Sequence, residues 1–369
     1  MHVNRLPWRR WLGSAVRLGA VGCTVALLAA TPFDWGKMAR TATLLAAGLR
    51  QPQNAAQVLG DRLSQSDAAV DTLAPLHTPS ADSTTPDTSE HSVGGASEQV
   101  PTDTVTPPKE DGSGGKIVLR KLDSGDVLPC GIATRNSSGR TVDVAAAMNT
   151  TLKPHFTATD KPQVLIIHTH TTEQYMQYDA GYYNAADRAR TTDATRSVVA
   201  AGDALAKALA AQGIVAIHDK TVHDSPQYSG AYTRSAKTAQ AYLDEYPSIQ
   251  VVLDLHRDAL SDGGAIVKPT VTVGGRQAAQ MMIVVGTLST DAMPNPHTAQ
   301  NLALAAQWQK ALTAQNDALM RPLSTVGSRY NQHLHAGYLL VEIGAEGNTV
   351  AEAEYSAQLL GKTLVELLK

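Results

Sequence analysis

The chain has 369 residues, a formal net charge of -3 and 43% hydrophobic residues, which are concentrated in its second half. Because no long basic run follows the N-terminal region, the composition gives no support to nucleic-acid binding. With only two cysteines, Cys23 and Cys130, the chain can build neither a disulfide framework nor a cysteine-based zinc ribbon.

The first predicted element is an apolar run at residues 18–30, which follows several arginines and contains no charged residue. This positive flank predicts that the preceding tip stays in the cytoplasm. We therefore expect residues 1–36 to form a cytoplasmic tip and a single-pass membrane anchor. A cleaved signal peptide is the alternative, because the run is short for a membrane span. Either way, we expect the remainder outside the cell membrane.

Residues 37–115 are predicted to form a low-complexity, disordered tether. From about residue 51 onward Thr, Ser, Pro, Asp and Gly dominate, and too little apolar surface is present to offset the entropy of ordering. A small N-terminal lobe at residues 116–160 follows, with strand-like patterns at 116–122 and 131–136 and a short helix within 142–152.

Residues 161–369 alternate strand and helix patterns. Strands are predicted at 164–167, 214–217, 249–255 and 338–342, with a hairpin of 266–273 and 281–285 whose second strand joins the sheet. Helices are predicted after Asp193, as the cap, to Gly213, and at 232–246, 298–313 and 350–368. This alternation indicates an α/β fold with a three-layer, mostly parallel sheet flanked by helices.

Polar side chains follow three of these strands. His170 and Glu173 come after the first, His256 after the third, and Glu342 at the end of the last. The carboxyl ends of parallel strands share one rim, so we expect these residues to meet. Two His, one Glu and a water make the open zinc site of a hydrolase, and the remaining Glu would deprotonate that water. A carboxylate in an apolar strand, as at Glu342, is costly unless it is paired or serves a site.

Other interpretations compete with this one. His256, Arg257 and Asp258 would also make a structural ion pair, although no glycine-rich loop supports a kinase. An amidohydrolase barrel needs more strand-helix units than the chain supplies, and Thr172 and Glu173 break the metallo-β-lactamase pattern. A non-catalytic, membrane-tethered wall-binding or scaffold protein is the remaining alternative. The other histidines considered are interpreted as exposed loop residues, namely His218, His223, His297, His333 and His335.

Three motifs carry a family resemblance: VLIIHTHTTEQY, VVLDLHRDAL and SRYNQHLHAGYLLVEIGAEGNT. Together they resemble the stage II sporulation protein P family of peptidoglycan hydrolases, which is similar to the zinc N-acetylmuramoyl-L-alanine amidases. The resemblance covers residue 132 to the C-terminus. It implies a membrane-tethered amidase in spore engulfment, with zinc as cofactor, peptidoglycan as substrate and endopeptidase activity on stem-peptide cross-links. It also implies a companion lytic transglycosylase and a membrane protein of the engulfment complex as partners.

By position in these motifs, His170 and His256 match the two zinc-binding histidines of the similar amidases, and Glu342 in the L-L-V-E-x-G motif matches their catalytic glutamate. We assign Glu173 as the third ligand. In the related amidases this glutamate lies later, just before the first helix, where this chain offers Asp193. His168 is a further alternative, because it lies two residues before His170 and would bind the metal or orient that histidine.

Overall fold

The computed structural model describes residues 106–122, 125, 127–188 and 190–369. The predicted membrane anchor and most of the predicted tether lie outside these residues. Within the described residues, no helix combines the length and the apolar character that crossing a membrane requires.

The described residues form strands and helices that mostly follow the predicted apolar runs. The strands are β1 (Gly115–Arg120), β2 (Thr134–Asn136), β3 (Val164–Ile167), β4 (Tyr182–Tyr183), β5 (Ala216–His218), β6 (Val251–Asp258), β7 (Ser261–Asp262), β8 (Ala265–Val273), β9 (Arg276–Ala279), β10 (Met281–Gly286), β11 (Leu323–Val326) and β12 (Tyr338–Ala345). The α-helices are α1 (Val144–Met148), α2 (Val198–Ala210), α3 (Ala231–Glu245), α4 (Thr298–Gln315) and α5 (Val350–Leu368).

Seven strands form the main sheet, in the order β2-β11-β10-β12-β6-β3-β5. Every neighbouring pair is parallel except β10 with β12, which is antiparallel. The prediction of a mixed α/β fold with a mostly parallel sheet is therefore confirmed for the described residues.

Side chains of the central strands alternate between two covered faces, as the two-residue period of a strand requires. In β3, Val164 and Ile166 pack in the larger core, to which helices α1, α2, α4 and α5 contribute. Leu165 and Ile167 point to the other face and pack with Ala239 of α3. Helices on both faces explain why these strands are continuously apolar, and they give the three layers that were predicted.

Two local predictions need correction. Ser197 caps α2 by accepting a hydrogen bond from the Val199 amide, whereas Asp193 accepts from Thr195 in a preceding turn. The hairpin partner of β8 is β9 and not the strand at 281–285, because the chain turns at once through Gly274 and Gly275. Both glycines have positive φ angles, 56° and 80°, as a tight hairpin turn requires.

A second sheet has the order β4-β1-β8-β7, with β9 also paired to β8. It places the loop after β3 against the beginning of the described chain. Asn184 in this loop receives a 3.0 Å hydrogen bond from the Asp111 amide and donates one of 3.2 Å to the Lys109 carbonyl. The Ala185 amide donates to Ser113 Oγ at 3.0 Å. Residues 109–113, which the sequence assigns to the tether, thus bind the loop that follows the first motif.

Candidate functional site

The three predicted motifs meet at one rim of the main sheet. In the register of the sheet, Ile167 of β3 lies beside Asp254 of β6, and His256 of β6 lies beside Glu342 of β12. The chain leaving β3 reaches His170 and Glu173 within six residues of Ile167. The structure therefore brings together all four residues predicted for the site, although up to 172 positions of sequence separate them.

His256 lies between two buried carboxylates. Its Nδ1 is 3.4 Å from Glu173 Oε2, and its Nε2 is 3.0 Å from Asp254 Oδ1. Burial alone would lower the pKa of His256, but the charge of Asp254 and then that of Glu173 raise the pKa well above its usual value. In the metal-free protein this histidine is therefore an imidazolium held by two acids.

The two carboxylates are fixed by neutral donors as well. Asp254 accepts hydrogen bonds from the Thr169 amide at 2.8 Å and the Thr169 hydroxyl at 2.6 Å. Glu173 Oε2 accepts from the Arg257 amide at 3.0 Å. Burial alone would raise the pKa of Glu173, but the hydrogen bond and charge of His256 outweigh it and hold the pKa below its usual range. Both acids are thus ionised and oriented before any ligand arrives.

His170 forms the second side of the cluster. Its ring centre lies 5.3 Å from that of His256, and its Nδ1 lies 3.8 Å from Asp224 Oδ2. Tyr228 stacks on the imidazole at 4.5 Å, and its hydroxyl is 3.0 Å from Nε2. Burial is the main cause that lowers the pKa of His170 to about 3, so this ring is neutral and able to bind a cation.

Arg190 balances the acids on this side. Its guanidinium donates to Asp224 Oδ2 at 2.6 Å and lies 4.0 Å from Glu173 Oε1. It also lies 4.6 Å from the centre of the Tyr228 ring. Since Asp224 additionally accepts from Thr172, one buried carboxylate ties the first motif to the loop before α3.

Glu342 differs from the other acids of the site. It is half-buried, and its Oε2 is occluded without a hydrogen-bond partner among the described residues. Burial and the charge of Asp258 raise the pKa of Glu342 to about 8. Asp258 itself pairs with Arg321 at 2.8 Å. At neutral pH the metal-free protein therefore holds a largely protonated carboxyl at this position.

The donor set fits a zinc ion, although it does not enclose one as it stands. Within the described part of the chain, no three His, Cys, Asp or Glu side chains are already arranged as a metal site. The 3.4 Å from His256 Nδ1 to Glu173 Oε2 nevertheless equals the spacing of about 3.4 Å expected for two ligands at about 2.1 Å from a tetrahedral ion. Asp254 behind Nε2 matches the carboxylate that orients a metal-binding histidine.

The other candidates for the third ligand are placed elsewhere. Asp193 is exposed, and its carboxylate accepts from the amide and hydroxyl of Thr195. His168 is buried, but its Nδ1 lies 3.0 Å from the Leu255 carbonyl and its Nε2 lies 2.8 Å from His218 Nε2. Both ring nitrogens of His168 are therefore engaged away from His170.

Two interpretations of loop residues are wrong. His223 is only 2% exposed and lies 2.8 Å from the His168 carbonyl, and the His218 side chain is only 7% exposed. Arg257 is not the partner of the Asp258 carboxylate, because its Nε donates to the Gln174 carbonyl at 3.0 Å and the carboxylate pairs with Arg321. The two histidines interpreted as exposed and the arginine interpreted as the partner of Asp258 instead contact neighbouring loops at the rim.

The sequence did not identify Asp254, Asp224 or Tyr228 as site residues. A signal existed for Asp254, since it is a carboxylate inside the apolar run of β6, as Glu342 is inside that of β12. No comparable signal marks Asp224 or Tyr228, which lie in a polar loop whose path is set by tertiary contacts.

Comparisons with known proteins give one family and several more distant similarities. The model of the stage II sporulation protein P family matches residues 89–365. The stage II sporulation protein P of Bacillus subtilis (strain 168) is 28% identical over 225 residues, which cover 58% of this chain and 53% of the relative. The chain thus spans about half the length of that curated relative.

Among solved structures, the N-acetylmuramyl-L-alanine amidase Ami1 of Mycobacterium smegmatis is similar with a TM-score of 0.35 and 12% identity, covering 58% of this chain and 99% of that one. The CwlD amidase of Clostridioides difficile, solved in complex with the GerS lipoprotein, has a TM-score of 0.33 and 11% identity, covering 56% and 98%.

The family match extends over most of the chain, includes all three motifs, and confirms the resemblance drawn from them. This chain belongs to the stage II sporulation protein P family.

Proposed function

We propose that this protein is a membrane-anchored, zinc-dependent peptidoglycan hydrolase that acts in spore engulfment. Its reaction would be cleavage of the amide between N-acetylmuramic acid and L-alanine, with additional cleavage of stem-peptide cross-links. One observation carries the proposal: His256 Nδ1 faces Glu173 Oε2 at 3.4 Å while Asp254 backs the other nitrogen. This arrangement suits a metal ligand and its orienting carboxylate better than a structural ion pair.

His170, Glu173 and His256 would hold the zinc ion, which would lower the pKa of a bound water from 15.7 toward about 7 and polarise the amide carbonyl. Glu342 lies beside His256 in the sheet register. The charge of the bound zinc would lower the raised pKa of Glu342, so the ionised carboxylate would accept the proton of that water. The burial that raises the pKa of Glu342 would also help its carboxyl to retain the proton until the leaving amine takes it. Arg257 is committed to the Gln174 carbonyl and serves to hold the loop rather than the substrate.

The family also supports proposals about place and partners. The apolar run at residues 18–30 would anchor the chain in the cell membrane, so that the hydrolase domain reaches the wall from outside the cytoplasm. A lytic transglycosylase and a membrane protein of the engulfment complex would act with it, one cutting glycan strands while this protein removes stem peptides.

A dye-release assay on purified sacculi, with and without chelator, tests the proposal. Mass spectrometry of the released products would identify free stem peptides as evidence for the amidase bond. Glu342→Gln should keep zinc bound but abolish release, and His256→Ala should lose both. Glu366→Gln and His155→Ala alter exposed residues remote from the rim and serve as matched controls. Release by Glu342→Gln at the normal rate, or full zinc in His256→Ala, would contradict these assignments.

The same assay addresses the alternative of a non-catalytic wall-binding protein. Such a protein would sediment with sacculi whether or not chelator is present, and it would release no stem peptide. Loss of release on chelation, with recovery on adding zinc back, would exclude that alternative.

A further inference from the structure

Two consecutive residues next to the site adopt an unfavourable backbone conformation. Tyr330 and Asn331 have φ angles of 48° and 57°, and they are the only non-glycine residues with positive φ in the described ranges. For a bulky residue such as Tyr330 this region costs about 1 kcal/mol or more, whereas asparagine tolerates it better. The surrounding structure must therefore hold the pair in place.

Buried hydrogen bonds supply that restraint. Asn331 is 7% exposed, and its side-chain nitrogen Nδ2 donates to the Tyr232 carbonyl at 2.9 Å and to Ser235 Oγ at 3.0 Å. The next residue, Gln332, donates to the Val284 carbonyl at 2.8 Å and accepts from the Gly286 amide at 2.9 Å. These bonds hold the two residues that follow Tyr330 and so restrain the backbone from which its ring projects.

The Tyr330 ring continues an aromatic row that starts at the metal candidates. Its centre lies 5.3 Å from that of Tyr232, which is stacked at 6.4 Å on His256 and lies edge-on at 5.6 Å from His170. Tyr232 is 5% exposed, whereas Tyr330 is half-buried. Tyr330 is thus more exposed than the Tyr232 and His256 rings of this row.

The opposite side of the site is unsuited to binding a charged group. Arg190 is already neutralised by Asp224 and Glu173, and it lies over Tyr228. Since Arg190 is engaged, contact with the Tyr330 ring would depend on the shape and aromatic complementarity of the substrate rather than on that cation. A rigid ring with an apolar C–H face meets that requirement, because the negative face of an aromatic ring attracts polarised C–H groups.

We propose that Tyr330 is a substrate-binding residue that stacks on a pyranose ring of the glycan strand and thereby positions the adjoining amide at His170 and His256. This inference rests on the proposed function, since it assigns the saccharide part of the same substrate. The strained turn at Tyr330 and Asn331 presents the ring in a fixed orientation, which reduces the entropy lost on binding.

Binding measured without turnover tests this assignment. The full chain carrying Glu342→Gln is titrated with soluble, peptide-free glycan strands and, separately, with sugar-free stem peptide. Adding Tyr330→Ala should weaken glycan binding at least tenfold, and Tyr330→Phe should stay within twofold. Tyr355→Ala should leave binding unchanged, because Tyr355 is half-buried against Arg276, where it bonds the Val273 carbonyl. In the active background, Tyr330→Ala should raise KM at least tenfold with kcat within threefold.

Tyr330→Leu keeps bulk without an aromatic face and replaces Tyr330→Ala if that variant fails to fold. Glycan affinity unchanged in the folded variant, loss of stem-peptide binding instead, or no glycan binding by the parent chain would each overturn the inference. Absence of stem-peptide release by the wild-type chain would refute the proposed hydrolase alone, because the glycan titration does not depend on turnover.

Discussion

Replacing Glu342 by Gln should change the pH dependence of stability in the metal-free protein. The folded pKa of about 8 lies above the ordinary value of 4.5, so the unfolded chain loses this proton first as pH rises. The stabilisation is therefore fully present below pH 4.5 and is lost as pH rises through 8. At 1.36 kcal/mol for each pKa unit, the difference amounts to about 5 kcal/mol, as an upper bound because Glu342 is half-buried.

Gln has nearly the same shape as Glu and cannot ionise, so the variant does not lose this stability as pH rises. Urea unfolding in EDTA at pH 5, 6, 7 and 8 should show Glu342→Gln gaining at least about 1 kcal/mol on the wild type over that range. Excess zinc should reduce the gain, since a nearby cation stabilises the carboxylate. Glu366→Gln, an exposed change on α5, should show no such trend. Parallel stability curves for Glu342→Gln and wild type would refute the reasoning about this carboxyl.

Three further predictions concern groups around the site. Asp254→Asn should weaken zinc binding 10- to 100-fold, because the variant loses the charge 3.0 Å from His256; unchanged affinity by metal titration would deny Asp254 an orienting role. Asn184→Ala should expose residues 109–113 to proteases without lowering the unfolding midpoint by more than a few degrees, and an unchanged cleavage pattern would contradict this. Lys268→Met should destabilise the fold by about 3 kcal/mol, since Lys268 is 1% exposed and its loss leaves buried Glu352 without its counter-ion; denaturant unfolding with less than about 1 kcal/mol of change would show that the pair contributes little.

The fold was predictable where burial alone selects the residues. β3, β6 and β12 are buried on both faces, so their apolar runs stand out and their bounds differ from the predicted ones by a few residues. β11 was missed because its sequence, Leu-Ser-Thr-Val, carries no such signal. It is held by parallel pairing with β10 and β2, which are distant in sequence.

The second sheet shows the same limit. β1 pairs with β8 at a separation of about 150 residues, and β4 has only two residues. Neither pairing follows from a local pattern, since both depend on where the loop after β3 returns. The hairpin error has a related cause: Gly274 and Gly275 predicted the turn, but the short β9 intervenes before the strand that enters the main sheet.

Only some of the site residues were predictable from the sequence, because tertiary packing decides which acids are buried beside the histidines. His170, His256 and Glu342 were found because strand ends converge, which is a property of the fold class. Asp254 and Asp224 matter because they are buried beside histidines, and burial of a loop or of one strand face is decided by packing.

The resulting site is rich in fixed negative charge. Glu173, Asp254 and Asp224 are all nearly fully buried, and Arg190 lies much closer to Asp224, at 2.6 Å, than to Glu173, at 4.0 Å. The other side is neutralised in the metal-free protein by the proton on His256, which lies between Glu173 and Asp254. A divalent ion bound there would displace that proton and bring two positive charges in place of one, facing the carboxylates of Glu173 and Asp254.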